Sequence, residues 1–212
     1  MIRPPFPAAD TGSAAAFTEA SDGDMRGDPA ARRAVSAVLS IPAAWATLTQ
    51  VHGKRVVEAH GPGDLGAADA VFTSTPGIPI AILTADCAGV VLFGGDAVGV
   101  AHAGWRGAAA SVVKELRRAM ESAGHSITAA AIGPTIGPCC FEVGPEVATQ
   151  FPGATKATTW GTASVDLVAA IAEELADIEC WSQGSCTRHE DGWFSHRRDG
   201  TEQRLATVAW VR

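Results

Sequence analysis

Between Trp45 and Ala101 the chain is a succession of short apolar runs closed by glycine, proline or acidic residues: Trp45 to Val51, Arg55 to Ala59, Ala70 to Ser74, Ile78 to Leu83, Gly89 to Phe93 and Ala97 to Ala101. Runs of this length and composition read as buried β-strands, and their backbone polar groups need partners, so several are expected to pair in one sheet. None approaches the roughly 20 residues required to cross a bilayer, which argues against a transmembrane helix.

The flanking segments carry helical periodicity. Asp28-Pro29 reads as an N-cap with proline in the first turn, and Val35, Val38 and Leu39 form an apolar stripe up to Ile41-Pro42. A second helix is expected to open at Gly104-Trp105-Arg106-Gly107, to bury Val112, Val113, Leu116 and Met120, and to end near Ser122 to Gly124. A strand from Ile127 to Ile132 leads into the shaped loop Gly133 to Cys140; a short helix follows over Gly144 to Phe151. Ser164 is expected to cap a longer helix with Leu167, Val168, Ile171 and Leu175 at helical spacing and Asp166 in its first turn, and Arg204 to Val211 alternates like a closing strand. Strands and helices intermingle without strict βαβ alternation, so the expected fold class is α/β or α+β with mixed sheets. A single domain is expected over residues 1–212, with residues 1–27, rich in Ala, Gly, Pro, Ser and Asp, irregular apart from at most one short strand.

Charge and cysteine usage narrow the partners. With 16 Lys and Arg against 23 Asp and Glu, the net charge of −7 opposes a general affinity for nucleic acid or an anionic membrane. A small-molecule substrate and a monomer or small homo-oligomer are expected. The first residues lack the apolar segment of a secretory signal, so a cytoplasmic location is expected. Five cysteines, two of them adjacent at Cys139-Cys140, suit reduced thiols better than a disulfide framework.

Three metal-competent residues stand at the ends of apolar runs: His52 in Gln50-Val51-His52-Gly53, Cys87 in Thr84-Ala85-Asp86-Cys87, and His102 in Ala101-His102-Ala103-Gly104-Trp105-Arg106-Gly107. Their separations are too long for a local zinc finger but natural for strand ends gathered by a sheet. Two histidines and a cysteine with an open fourth position make a known catalytic zinc arrangement. Gly104 and Gly107 would let backbone approach a ligand, and Arg106 at a helix start would attract phosphate or carboxylate. The alternative is that both glycines serve helix packing and Arg106 pairs with Asp86.

The runs Gln50 to Gly53, Ala68-Asp69-Ala70, Thr84 to Cys87, His102 to Gly107, Ile132-Gly133-Pro134, Phe141 to Gly144 and Phe194-Ser195-His196-Arg197-Arg198-Asp199 together resemble the YfiH family, also called the laccase-domain or polyphenol oxidoreductase family, from about residue 45 to the end. The resemblance implies an α/β/β/α domain related in architecture to cytotoxic necrotizing factor deamidases, with zinc held at His52, Cys87 and His102. It implies phosphorolysis of adenosine, inosine, guanosine and methylthioadenosine to base and sugar 1-phosphate, and deamination of adenosine to inosine. Some members are implicated instead in peptidoglycan editing, removing L-serine from a muramic acid precursor. Two departures stand out: Thr11 to Met25 lacks the usual Arg-Gly-Gly-Val-Ser-like and Asn-Leu-Gly segments, and His196 replaces a common tyrosine, the chain having no Tyr at all.

On this reading Cys87, His52, His102 and Arg106 are the catalytic candidates, and Asp86, Gly104, Gly107 and Cys139 the candidates for lining the substrate pocket. Asp86 and Glu142 are candidate acid or base groups, and His196 is expected to be structural rather than a fourth ligand. Three alternatives remain: a metal-free cysteine hydrolase with Cys87 as nucleophile, a copper polyphenol oxidase, and a non-catalytic zinc domain whose site is closed by Cys139, Cys140 or Cys186. Copper oxidase chemistry is disfavoured because the six histidines include no His-x-His pair. Cys180 and Cys186 are expected to be buried thiols.

Overall fold

The computed structural model describes residues 1–5 and 12–212. Along the chain run β1 (Ser13–Phe17), α1 (Pro29–Leu39), β2 (Ala46–Thr49), β3 (Val56–Glu58), β4 (Gly63–Ala67), β5 (Ala70–Thr73), β6 (Ile80–Thr84), β7 (Ala88–Gly94) and β8 (Val98–Ala103). Then follow α2 (Trp105–Ala109), α3 (Val112–Ser122), β9 (Ile127–Ile132), α4 (Pro145–Ala148), β10 (Thr155–Ala157) and β11 (Ala163–Val165). The chain closes with α5 (Leu167–Glu174), β12 (Glu179–Ser182), α6 (His196–Asp199) and β13 (Leu205–Val211).

Two mixed sheets face each other. One has the order β1-β13-β6-β2-β4 and the other β12-β9-β7-β8-β5-β3, with β10 and β11 as a separate antiparallel pair. Alternation along each strand sorts the apolar side chains into three layers. Phe17, Ile80, Ile82, Val91, Phe93, Val98, Val100 and Ala209 fill the space between the sheets. Ala14, Ala16, Ala81, Val208 and Trp210 turn outward to meet Val35 and Leu39 of α1. On the far side Val90, Leu92 and Ile132 meet Val112, Leu116 and Met120 of α3 and Leu167 and Ile171 of α5. The order of layers is helix, sheet, sheet, helix, as the family resemblance implies.

The apolar runs after Ile78 do not share one sheet. β6 lies in the first sheet and β7 and β8 in the second, so Ala85 to Cys87 is a tight crossing between sheets. Close approach there needs Gly89: a Cβ at that position would stand 2.0 Å from the Thr207 hydroxyl oxygen of β13.

Other local expectations are corrected by packing. The helix beginning after Gly104 breaks at Ser111, which takes a left-handed conformation (φ 59°) and donates its hydroxyl to Glu174 at 2.9 Å. Ser164 does not cap a helix; it is buried in β11, donating to the Pro138 carbonyl at 2.7 Å, and Asp166 caps α5 by accepting from Ala169 N. Val38 is 66% exposed, while Val35 and Leu39 carry the buried stripe of α1. Among the described residues of the amino-terminal segment β1 is a strand, bridged by Ile2 at Phe17 and followed by a 3-10 turn at Ala20–Asp22; residues 6–11 lie outside the described part.

Candidate metal and substrate site

Val98, Val100 and then His102 share the inward face of β8, so His102 emerges where the layer between the sheets runs out. It is 3% exposed. Cys87 arrives from the crossing turn, opposite β8 in the register that pairs Ala88 with Ala103. His52 arrives from the loop after β2 with a left-handed backbone (φ 60°), and its ring meets that of His102 edge to face at 4.7 Å between centres. One donor atom from each of His52, Cys87 and His102 lies within 4.8 Å of the other two. The sequence-derived triad is therefore brought together.

The residue that organises it is Asp69, whose role the sequence does not reveal. Fully buried, its carboxylate accepts from the backbone N–H of Val51, His52 and Gly53 at 3.2, 2.9 and 2.7 Å, and meets His102 Nδ1 at 2.8 Å. One carboxylate thus holds the His52 loop and fixes the His102 ring, leaving Nε2 as the ring nitrogen for a ligand. Gln50 pins the same loop from the other side, its amide donating to Leu83 O and accepting from Leu83 N, both at 2.8 Å.

Electrostatics follow from this arrangement. Burial pushes the Cys87 thiol up, but hydrogen bonds and charge from His102 and His52 outweigh it and hold the group at about 6. Burial pulls His102 down, but Asp69 and Cys87 outweigh that and raise it to about 9. Asp69 is held below its ordinary value: its burial is overcome by His102 and by the Gly53 and Val51 N–H groups.

The donor set fits a metal ion. Two imidazoles and a thiol favoured in its anionic form converge, a carboxylate backs one imidazole, and no fourth His, Cys, Asp or Glu donor joins the group among the described residues. Gly104 belongs to this fit, because a Cβ there would lie 2.9 Å from Cys87 Sγ and 3.1 Å from His52 Cδ2.

An open groove of about 630 Å³ reaches these donors, lined also by Arg26, Arg32, Gln50, Asp64, His196 and Arg204. The three arginines are braced: Arg26 by Glu202 at 2.8 Å, Arg32 by the Met25 carbonyl, and Arg204 by the Thr201 and Gln203 carbonyls at 2.9 Å. The sequence singled out none of them, since arginines outside a glycine-rich motif carry no local signal.

The remaining candidates take other places. Arg106 is exposed, with its guanidinium carbon 4.2 Å from the Trp105 ring centre, and it begins a helix of only five residues. It pairs with Asp86 in none of the described contacts. Asp86 has a positive φ of 90° and is buried; its two carboxylate oxygens accept from the Thr187 hydroxyl and from Arg197 N, both at 2.6 Å. Gly107 packs against the His102 and Gly53 carbonyls. Glu142 is exposed and accepts from Trp160 Nε1 at 2.9 Å. His196 lines the groove, its Nδ1 3.2 Å from the Thr201 carbonyl, and stands outside the metal-competent group. Cys139 groups with Cys140 and Cys186, apart from the first donor set, so none of these three closes it. Cys186 is buried as expected, whereas Cys180 is only half-buried.

A two-sheet sandwich with a two-histidine, one-cysteine group at the end of its inner layer defines a metal-competent α/β protein. The family model described as multi-copper polyphenol oxidoreductase laccase matches residues 16–212. The purine nucleoside phosphorylase ORF3 of Streptomyces griseus is 37% identical over 94% of this chain and 89% of its own, and the purine nucleoside phosphorylase YfiH of Escherichia coli K12 is 34% identical over 85% and 79%. Among solved structures, YlmD of Geobacillus stearothermophilus superposes with a TM-score of 0.84 at 26% identity, covering 96% of this chain and 93% of that one. YfiH of Bacillus licheniformis shares the fold with a TM-score of 0.83 at 23% identity over 94% and 93%. The chain belongs to the YfiH or laccase-domain family.

Proposed function

We propose that this protein is a zinc-dependent purine nucleoside enzyme whose principal reaction is phosphorolysis to free base and sugar 1-phosphate. The observation that carries the reading is one groove lined both by the His52, Cys87 and His102 group and by three braced arginines. Arg26, Arg32 and Arg204 bind and orient a phosphate dianion through charge-assisted hydrogen bonds. A phosphate oxygen attacks C1′ of the nucleoside, the C1′–N9 bond breaks, and its electron pair leaves with the purine, which takes up a proton. His52, Cys87 and His102 would hold the zinc, with Asp69 fixing the His102 ring. When bound, the metal would supply Lewis acidity. Deamination of adenosine, in which water replaces the amino group at C6 and ammonia leaves, is the second activity proposed for the groove. We place the protein in the cytoplasm, where its five free thiols stay reduced.

The test is product chromatography after incubating metal-analysed protein with adenosine, with and without phosphate, beside Cys87→Ser and Arg32→Ala. Adenine that appears only with phosphate, is absent with Cys87→Ser and needs about tenfold or more phosphate with Arg32→Ala supports phosphorolysis and the anion role. Inosine formed without phosphate adds deamination. A zinc-replete protein that yields neither overturns the nucleoside reading.

A second reading has its own observation. Cys87, His102 and Asp69 stand in nucleophile, base and orienting positions, with His102 Nδ1 2.8 Å from Asp69. This suits a metal-free cysteine hydrolase that removes L-serine from a muramic acid precursor. Serine release that survives complete chelation would establish it; activity lost on chelation and restored by zinc would exclude it.

A further inference from the structure

We propose that Cys139, Cys140 and Cys186 form a second metal site, one that takes a soft monovalent cation, copper(I), in trigonal sulfur coordination. The three sulfurs lie within 4.8 Å of one another, and no residue belongs both to this group and to the His52, Cys87 and His102 group. Cys140 and Cys186 are buried with Ile136 and Phe141 in the layer beneath the second sheet, and Cys139 packs against it.

Two segments far apart in sequence deliver the thiols and are tied together beside them. Thr187 N donates to the Thr135 carbonyl at 3.0 Å, and Gly137 N donates to the Cys186 sulfur at 3.2 Å. The turn after Cys186 is closed by His189 N and Glu190 N on the Cys186 carbonyl. A Cβ at Gly137 would stand 3.2 Å from Cys186 Cβ and 3.4 Å from Cys139 Sγ, so the loop lies against the sulfurs because it has no side chain there.

The Gly137 N–H on the Cys186 sulfur is a donor that suits a metal-bound thiolate as well as a thiol. A thiol gives up its proton to a metal as it binds. Thiolates select soft ions. Zinc in an all-thiolate site is closed by four donors, whereas the described residues place three here, the number a three-coordinate copper(I) uses.

The experiment uses reduced, anaerobic Cys87→Ser protein, in which the first site is disabled, titrated with copper(I) against a chromophoric chelator. One equivalent bound, with a thiolate-to-copper charge-transfer band and a sulfur-only shell in X-ray absorption, is expected. Adding Cys186→Ser or Cys139→Ser should abolish the band; Cys139 is half-buried, so its variant tests the site even if Cys186→Ser fails to fold. Absence of copper(I) binding to the Cys87→Ser protein, a nitrogen or oxygen shell about the copper, or binding that survives both further variants would overturn the site.

Discussion

At the scale of single residues one carboxylate, Asp69, ties two of the three candidate metal donors in place. Removing the Asp69 carboxylate orphans three backbone N–H groups and releases the His102 ring. Asp69→Ala is therefore expected to lose stability, by about 1–3 kcal/mol in all because the three donors are only partly buried and water can reach them. Asp69→Asn should fold better yet bind metal about 10–100-fold more weakly, as measured by competition with a chelator. Gly104→Ala is the complementary test. Its φ of −66° tolerates any residue, so the added methyl acts on Cys87 and His52 rather than on the backbone. The expected outcome is a thermal midpoint close to wild type with metal affinity down about tenfold or more. His52, Cys87 and His102 were legible in the sequence because metal-competent side chains at the ends of apolar runs are chemically conspicuous. Asp69 and Gln50 stand in equally short motifs, but what they do is receive or donate to backbone atoms 16 to 33 residues away, which no local pattern records. Arg106 drew attention through its glycines, while the arginines that line the groove sit in unremarkable surroundings.

At the scale of elements α1, α3, α5 and the strands of apolar composition were legible, whereas the short β4, β10, β11, β12 and α6 carry no periodic signal and were not foreseen. β1 reads Ser-Ala-Ala-Ala-Phe, poor in strand-forming residues, and is a strand because both of its faces are covered. Helix α3 was foreseen by its stripe, but not the break before it, which Ser111 sustains at about 1 kcal/mol or more of left-handed backbone cost. Mixed sheets were expected, but not which strand joins which: β6 and β7 part at a three-residue turn, and apolar content alone does not say to which sheet a buried strand goes. Gly89→Ala probes that parting. The new methyl would collide with Thr207, and a loss of about 1–3 kcal/mol is expected, partly recovered in Gly89→Ala/Thr207→Ala. Denaturant midpoints of the four members of the cycle decide it; equal losses in the single and double variants would show that the contact is not the cause. Asp28 accepts from Ala30 N at the start of α1, and Asp28→Ala should cost about 1 kcal/mol. In a chain of this size that is about 2–4 °C in thermal midpoint.

At the scale of the whole molecule a chain of net charge −7 gathers three arginines along one groove, with Asp64 beside them and Glu202 paired to Arg26 and Arg204. One carboxylate helps to hold this arginine cluster. Asp24 accepts from the backbone N–H groups of Arg204, Arg26 and Gly27, and although burial raises it, these bonds hold it below its ordinary 3.8. A depressed folded value contributes stability that is present above 3.8 and lost as pH falls through the folded value. Asp24→Asn should therefore be less stable than wild type at neutral pH, with the difference shrinking on acidification, as followed by tryptophan fluorescence during denaturant melts at each pH.

The crossing turn that carries Cys87 is secured by Thr187 and Arg197 through Asp86, and β13 inserts between β1 and β6 rather than adding to an edge. A nascent chain would thus display all three metal donors while their clasp is still unmade: at about 5–20 residues per second, the interval from Cys87 to Arg197 is on the order of ten seconds of translation. During that window the thiol and imidazoles lack the clasp that Thr187 and Arg197 place on Asp86, so the geometry of the group is set late in synthesis.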